Sequence, residues 1–340
     1  MKYAFWNNKG GTGKTSLAFQ TITEYAILHP DQTILAIDLC PQANLSELLM
    51  GGLLGNGGNN LSSLYTPPVS CSIGGYFQDR FSNPFNTPVI NSATYISNPS
   101  AFNHTIPVNI DLIAGDRIVE LQSNSISALS ITQIPGVDTY IKIIDWLNDL
   151  IDAANAQNHY DQIFIDTNPS FAIYTQIALT AAERLIVPVM ADDSSRRALN
   201  NIFSLVYGLN LPAPIYNQYA FNTKIMTAGK QLPKIHLVVK NRLTQYMGPA
   251  SAYASVLTSI DNDLNAILLA NPQHFTFGNI TNGLVDVRDF QTTGVVAFAK
   301  ATPFSRLNAG NHNIFGNNTQ VQQEYLTNCI NAINGIASLL

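Results

Sequence analysis

Eight residues near the start of the chain, Lys9-Gly10-Gly11-Thr12-Gly13-Lys14-Thr15-Ser16, restrict its fold more than any other segment. They follow a short apolar run, Tyr3-Ala4-Phe5-Trp6, and lead into a helical pattern from Leu17 to Leu28. A strand, a glycine-rich turn and a helix in that order form a phosphate cradle. Glycines let backbone N–H groups converge, and the helix N-terminus adds partial positive charge. In such a loop Lys14 reaches the β- and γ-phosphates of a nucleotide, and the Thr15 hydroxyl ligates Mg²⁺.

The loop departs from the ordinary pattern G-x-x-x-x-G-K-[ST], whose first glycine would fall at Asn8. What stands here is K-G-G-x-G-K-[ST], with an additional lysine at position 9. This resembles the deviant Walker A box of the ParA/MinD family of ATPases. The plainer alternative, a glycine turn between a strand and a helix, needs no Lys-Thr pair at its exit.

Further along, Thr33–Asp38, Val108–Ile113, Gln162–Asp166, Leu185–Val189 and Ile235–Val239 are apolar runs that each lead into polar residues. Continuous apolar strands of this kind are buried on both faces, which predicts a doubly wound, mainly parallel sheet with helices on both faces. The fold class is α/β of the P-loop NTPase type, with the site at the carboxyl ends of the strands. Apolar residues from Val137 through Ile141, Ile144, Leu147 and Leu150 to Ile151 recur at helical spacing and predict one amphipathic helix. The 340 residues are 46% hydrophobic, enough for one enlarged α/β domain over 1–340. Residues 51–107, rich in Gly, Asn, Ser and Pro, are expected to form a long surface excursion, and 211–232 a second insertion.

The resemblance extends to other segments. Asp38-Leu39-Cys40-Pro41-Gln42 is similar to the family's D-x-D-P-Q switch, and Ile165-Asp166-Thr167-Asn168-Pro169-Ser170 to its D-T-P-P-S segment. Asn109 to Asp116 resembles the N-L-D-L-I-P-G strand, and Val287 to Phe298 loosely matches a late E-A-x-x-x-G-x-P-V segment. Asn241-Arg242 resembles the step that contacts adenine. The resemblance implies ATP and Mg²⁺ as cofactors, with Lys9 to Ser16 on the phosphates and Asp166 and Asp38 around the metal. It also implies that Lys9 reaches across an ATP-sandwich homodimer to the partner's nucleotide.

Two positions depart from the family. Cys40 stands where the family places the carboxylate that orients the attacking water. A thiol with an ordinary pKa of about 8.5, pushed higher by nearby phosphate, is a neutral and weak acceptor. Loss of a water-orienting group costs about 10²–10⁴ in rate, so weak turnover is expected. Asn168 replaces the first proline of the second switch, which loosens that loop.

The chain carries a net charge of −5, yet no Asp or Glu occurs from Ser194 to Ile260. The same stretch holds Arg196, Arg197, Lys224, Lys230, Lys234, Lys240 and Arg242. A segregated basic face is the footprint of salt-sensitive phosphate-backbone binding. Arg196, Arg197, Lys224, Lys230 and Lys234 are the candidate DNA contacts; Lys240 and Arg242 flank the nucleotide site instead.

Other classes are disfavoured. No apolar run approaches the roughly 18 residues that suggest a membrane span. A chain that enters a strand at once is expected to lack a secretory leader and a helix-turn-helix ahead of the loop. Cys40, Cys71 and Cys329 lack metal-site spacing, and free thiols suit the cytoplasm. The C-terminal apolar face of Leu326, Cys329, Ile330, Ile333, Ile336 and Leu340 lacks the basic residues of a membrane-surface helix and is expected to pack on the core. The implied function is that of a cytoplasmic, nucleoid-associated ParA-type partition or positioning ATPase. Its ATP dimer binds DNA without sequence preference and is released by a ParB-like or other cargo adaptor. The competing readings are an ATP-locked scaffold and a MinD-like membrane positioner.

Overall fold

The computed structural model of the protein describes residues 1–66, 69–243 and 252–340. In chain order, β1 (Lys2–Phe5), α1 (Lys14–Leu28) and β2 (Ile34–Asp38) are followed by α2 (Asn44–Leu49), α3 (Gly57–Leu64) and α4 (Ile73–Arg80). Next come β3 (Ile110–Ile113), α5 (Ile118–Ser130), α6 (Thr139–Ile144), α7 (Trp146–Asn158) and β4 (Gln162–Asp166). The chain continues through α8 (Ile173–Ala181), β5 (Arg184–Val189), α9 (Asp193–Tyr207), α10 (Phe221–Thr227) and β6 (Lys234–Leu243). It ends with α11 (Ala252–Ala270), β7 (Leu284–Arg288), α12 (Gln291–Ala299), the hairpin β8 (Gly310–Ile314) and β9 (Asn317–Val321), and α13 (Gln323–Ala337).

The strands β3-β2-β4-β1-β5-β6-β7 form one sheet in that order, and each adjacent pair is parallel. Side chains alternate between its faces. Ala4, Leu35, Ile37, Ile163 and Ile165 point into one core, with α5 to α9. Tyr3, Phe5, Ile34, Ala36 and Phe164 point into the other, with α1, α2, α12 and α13. Helices therefore cover both faces, as the apolar strands require. Asp166 is in register with Phe5 on one side and with Asp38 on the other, so three strand ends meet at one level.

Several expectations are corrected. The predicted helix over Val137–Ile151 is two helices that break at Asp145, whose carboxylate pairs with Lys230 at 2.8 Å. Next to the break, the indole N–H of Trp146 donates to the Pro84 carbonyl at 2.9 Å. Residues 51–107 are not simply a surface excursion. Tyr76, Phe77, Arg80 and Tyr95 are buried, and Arg80 donates to Asp149 on α7 at 2.6 Å with its guanidinium over the Trp146 ring. In 211–232, Phe221 and Ile225 of α10 are buried against α9. The strand β7 and the β8–β9 hairpin are additions to the predicted set. The C-terminal face packs as expected: Leu326, Cys329, Ile333 and Ile336 are buried and α13 lies along α1. No helix among the described residues is long and apolar enough to cross a membrane.

Candidate functional site

The loop after β1 is anchored from below by Asn7. This fully buried residue donates its amide to the Pro188 carbonyl at 2.7 Å and accepts from the Lys9 N–H at 2.9 Å. Gly11 and Gly13 take left-handed backbone conformations, φ 75° and 82°, which a side chain would strain. Gly13 is constrained twice, because a Cβ there would meet the Asn241 amide nitrogen at 2.4 Å. Space above Gly11 is open. The Lys14 ammonium is buried and donates to the carbonyls of Asn7 and Lys9 at 3.2 and 3.1 Å. Burial lowers its pKa.

The loop opens onto a cleft of about 370 Å³. Gly10 to Ser16, except Thr12, line it together with Cys40, Thr167, Asn168 and Arg242. Thr12 is buried beneath, where its carbonyl accepts the Asn241 amide at 3.0 Å. Both ends of the Asn241 amide are thus engaged, since its oxygen accepts the Arg242 N–H. Asn241 is placed as a clamp on the loop, beside the cleft.

Thr15 donates its hydroxyl to Asp166 Oδ2 at 2.7 Å. The other oxygen, Oδ1, is buried and has no hydrogen-bond partner among the described residues. An orphaned carboxylate oxygen next to a threonine hydroxyl fits a hard cation. No three His, Cys, Asp or Glu side chains converge among the described residues, so a protein cage is not what is built. Mg²⁺ suits this donor set, because it keeps several waters and takes few side chains plus phosphate oxygens.

Asp38 differs from Asp166. Its Oδ1 accepts the Cys40 N–H at 3.0 Å, and its Oδ2 accepts the Ser46 N–H and hydroxyl at 2.9 and 2.8 Å. It therefore organises the turn after β2. A Cβ on Gly115 would lie 2.9 Å from the Asp38 carboxyl carbon, so β3 exits against it only because that residue is glycine. Burial raises the pKa of both carboxyls, and the charge of Asp38 raises Asp166 further. Cys40 lines the cleft, and its thiol is pushed up to about 12 by burial first and then by Asp38 and Asp166. It is neutral at any physiological pH.

Lys9 lines a different depression, a shelf formed with Asn8, Ser194, Arg197 and Asn200. Its ammonium is bound by Asp192 at 2.5 and 2.6 Å and by Ser195 Oγ at 3.1 Å. It points away from its own cleft.

The candidate DNA contacts are not brought together as a bare basic face. Arg196 pairs with Asp193 and Asp263, Arg197 with Asp193, and Lys230 with Asp145. Lys224 lies 4.1 Å over the Tyr140 ring. Lys240 is held by Asp261 and Asp286. An acid-free stretch of sequence thus meets acids from before and after it: Asp193 lies one turn back on α9, and the fold brings Asp145, Asp261, Asp263 and Asp286 alongside. Arg197 and Lys234 remain exposed.

A family model described as AAA domain, AAA_31, matches residues 2–212, from the strand before the loop to beyond α9. The chain belongs to this family. Its fold is that of the ParA/MinD ATPases. A McdA variant from Cyanothece in complex with ATP superposes with a TM-score of 0.63 at 14% identity, covering 99% of this chain and 95% of that one. A plasmid partition protein from Borrelia burgdorferi bound to AMPPNP gives 0.54 at 16%, covering 98% and 97%. Cobyrinic acid a,c-diamide synthase from Mycobacterium smegmatis, with ADP and magnesium, gives 0.51 at 16%, covering 77% and 81%. No curated protein matches the sequence significantly. Asn7, Ser46, Asp192 and Ser195, which hold Lys9 and Asp38 in place, are residues that motif reading did not single out. They act through tertiary contacts and belong to no spaced pattern.

Proposed function

We propose that the protein is an ATP- and Mg²⁺-dependent partition or positioning ATPase that works as an ATP-sandwich homodimer. The observation that carries the reading is the division of labour between two lysines of one loop. Lys14 is buried in its own cradle, while Lys9 is turned out of it toward the α9 shelf. A lysine that cannot serve its own phosphates suits those of a second copy. Thr15 and the free oxygen of Asp166 would hold the Mg²⁺, and Arg242 would border the nucleotide. Bound Mg²⁺ supplies charge neutralisation for phosphoryl transfer. The nucleotides held by the related folds, ATP and AMPPNP, and ADP with magnesium, agree with this assignment.

Nonspecific DNA is the proposed track, with a ParB-like or other adaptor as the partner that releases the dimer, in a cytoplasmic, nucleoid-associated setting. Exposed Arg197, on the shelf beside Lys9, supports the DNA contact. A second reading, an ATP-held scaffold with little turnover, is favoured by Cys40, whose neutral thiol cannot aim a water as a carboxylate does.

Light scattering of the purified chain with and without ATP and Mg²⁺ tests the proposal. The expected result is a dimer that requires both and disappears in Lys14→Ala. A chain that stays monomeric at saturating ATP overturns the sandwich. Ready phosphate release by the unmodified chain overturns the scaffold reading.

A further inference from the structure

We propose that Phe221 of α10 is a positioning residue for the nucleotide cleft, holding the loop after β4 in place through Phe171; this rests on the ATP reading above. That loop, residues 167–172, faces the cleft on one side and α10 on the other. Thr167, Asn168 and Pro169 line the cleft. Pro169 also faces the phosphate loop, since a Cβ on Gly10 would sit 4.0 Å from its Cγ. Two residues further on, the Phe171 ring lies between two others. The Trp6 ring is 5.6 Å away, and the Phe221 ring is 5.7 Å away and edge-on at 84°. Trp6 is fully buried directly ahead of Asn7, the anchor of the phosphate loop. One neighbour of Phe171 therefore belongs to the central sheet's strand exit, and the other to the 211–232 segment.

A second route joins α10 to the same residue. The Lys224 ammonium lies 4.1 Å over the Tyr140 ring, and the Tyr140 hydroxyl donates to Gln176 Oε1 at 2.6 Å. The Gln176 amide in turn donates to the Phe171 carbonyl at 3.2 Å. The ring and the carbonyl of Phe171 are thus both tied back to one short helix. The loop needs such a hold. Asn168 leaves its own φ free where a proline would fix it, and its side chain makes only a local turn, accepting the Ser170 N–H at 2.8 Å. An edge-on aromatic pair contributes beyond its burial and is directional, so Phe221 fixes where the Phe171 ring sits. A loop ordered before the nucleotide arrives loses less freedom on binding.

Phe221→Leu keeps the apolar burial and removes the ring, so the variant is expected to fold. In the nucleotide-free chain, hydrogen exchange read by mass spectrometry should quicken several-fold over residues 167–172 and stay unchanged over β1 and β4. Unchanged exchange in that loop, or a rise across the whole sheet, overturns the hold. Titration calorimetry with ATP and Mg²⁺ should give binding about two- to five-fold weaker in Phe221→Leu. Phe171→Leu should weaken it similarly, and the double variant should lose little more, because both changes remove one contact. A merely structural Phe221 would give losses that multiply in the double variant. That result, or undiminished affinity in Phe221→Leu, overturns the positioning role. If exchange quickens but the unmodified chain binds no ATP, the nucleotide reading fails while the hold on the loop stands.

Discussion

The side-chain amide of Asn241 holds the Thr12 carbonyl at 3.0 Å, and the adjacent Gly13 has no Cβ because that amide fills the space one would occupy. The end of β6 thereby pins the phosphate loop in the shape it needs. Asn241→Ala is expected to weaken ATP binding about ten-fold, from one lost hydrogen bond and a looser loop. Gly13→Ala adds about 1–2 kcal/mol of left-handed backbone strain to the clash and should abolish binding. Titration calorimetry with ATP and Mg²⁺ checks both; equal affinities for Asn241→Ala and the unmodified chain would show that the clamp is idle.

Cys40 lines the cleft within the field of Asp38 and Asp166. Cys40→Asp is expected to raise ATP turnover about 100-fold or more by supplying an acceptor for the attacking water. The same change crowds a third carboxyl into the nucleotide-free site, so thermal stability without Mg²⁺ should fall. Phosphate release and melting temperature, measured together, check the two signs.

Burial holds the Asp38–Asp166 pair above the ordinary carboxylate range, toward neutrality. Between about pH 4 and neutrality the folded chain keeps protons that the unfolded chain has lost. Stability of the nucleotide-free protein is therefore highest at the acidic end of that window and falls as pH rises through it. Asp166→Asn should flatten this slope. Urea unfolding at pH 5, 6 and 7 reads it, and a slope of the opposite sign in the unmodified chain would refute the assignment.

Arg80 is buried and ties the residue 51–107 segment to α7 through Asp149. Removing one partner leaves the other uncompensated, so Asp149→Ala should cost about 3–5 kcal/mol. A urea titration that shows under 1 kcal/mol would mean that this segment is loosely attached.

DNA retention, if it occurs through Arg196 and Arg197, must compete with Asp193 and Asp263. Binding is expected only at low salt and with ATP, and Arg197→Glu should reduce it several-fold. Retention that survives high salt or ignores this substitution would locate the contact elsewhere.

Local chemistry made much of this protein legible. The glycine loop needs no tertiary context, because its spacing alone places a strand before it and a helix after it. The apolar strands announced a buried parallel sheet, since only a sheet covered on both faces tolerates them. The helix break at Asp145 was hidden, because apolar periodicity runs through it unbroken while Lys230 and Pro84 act from outside. The short exposed strands β8 and β9 were hidden for the opposite reason: Asn-rich sequence carries no apolar alternation.

The sequence by itself determined the phosphate loop, the α/β class and the identity of Cys40, because each rests on residue type and near-neighbour spacing. Only the tertiary structure decided how charge is distributed. Lys9 meets Asp192 across 183 positions, and Lys230 meets Asp145 across the fold. Coulomb interactions act through space, and the order of charges along a chain does not state which of them become neighbours.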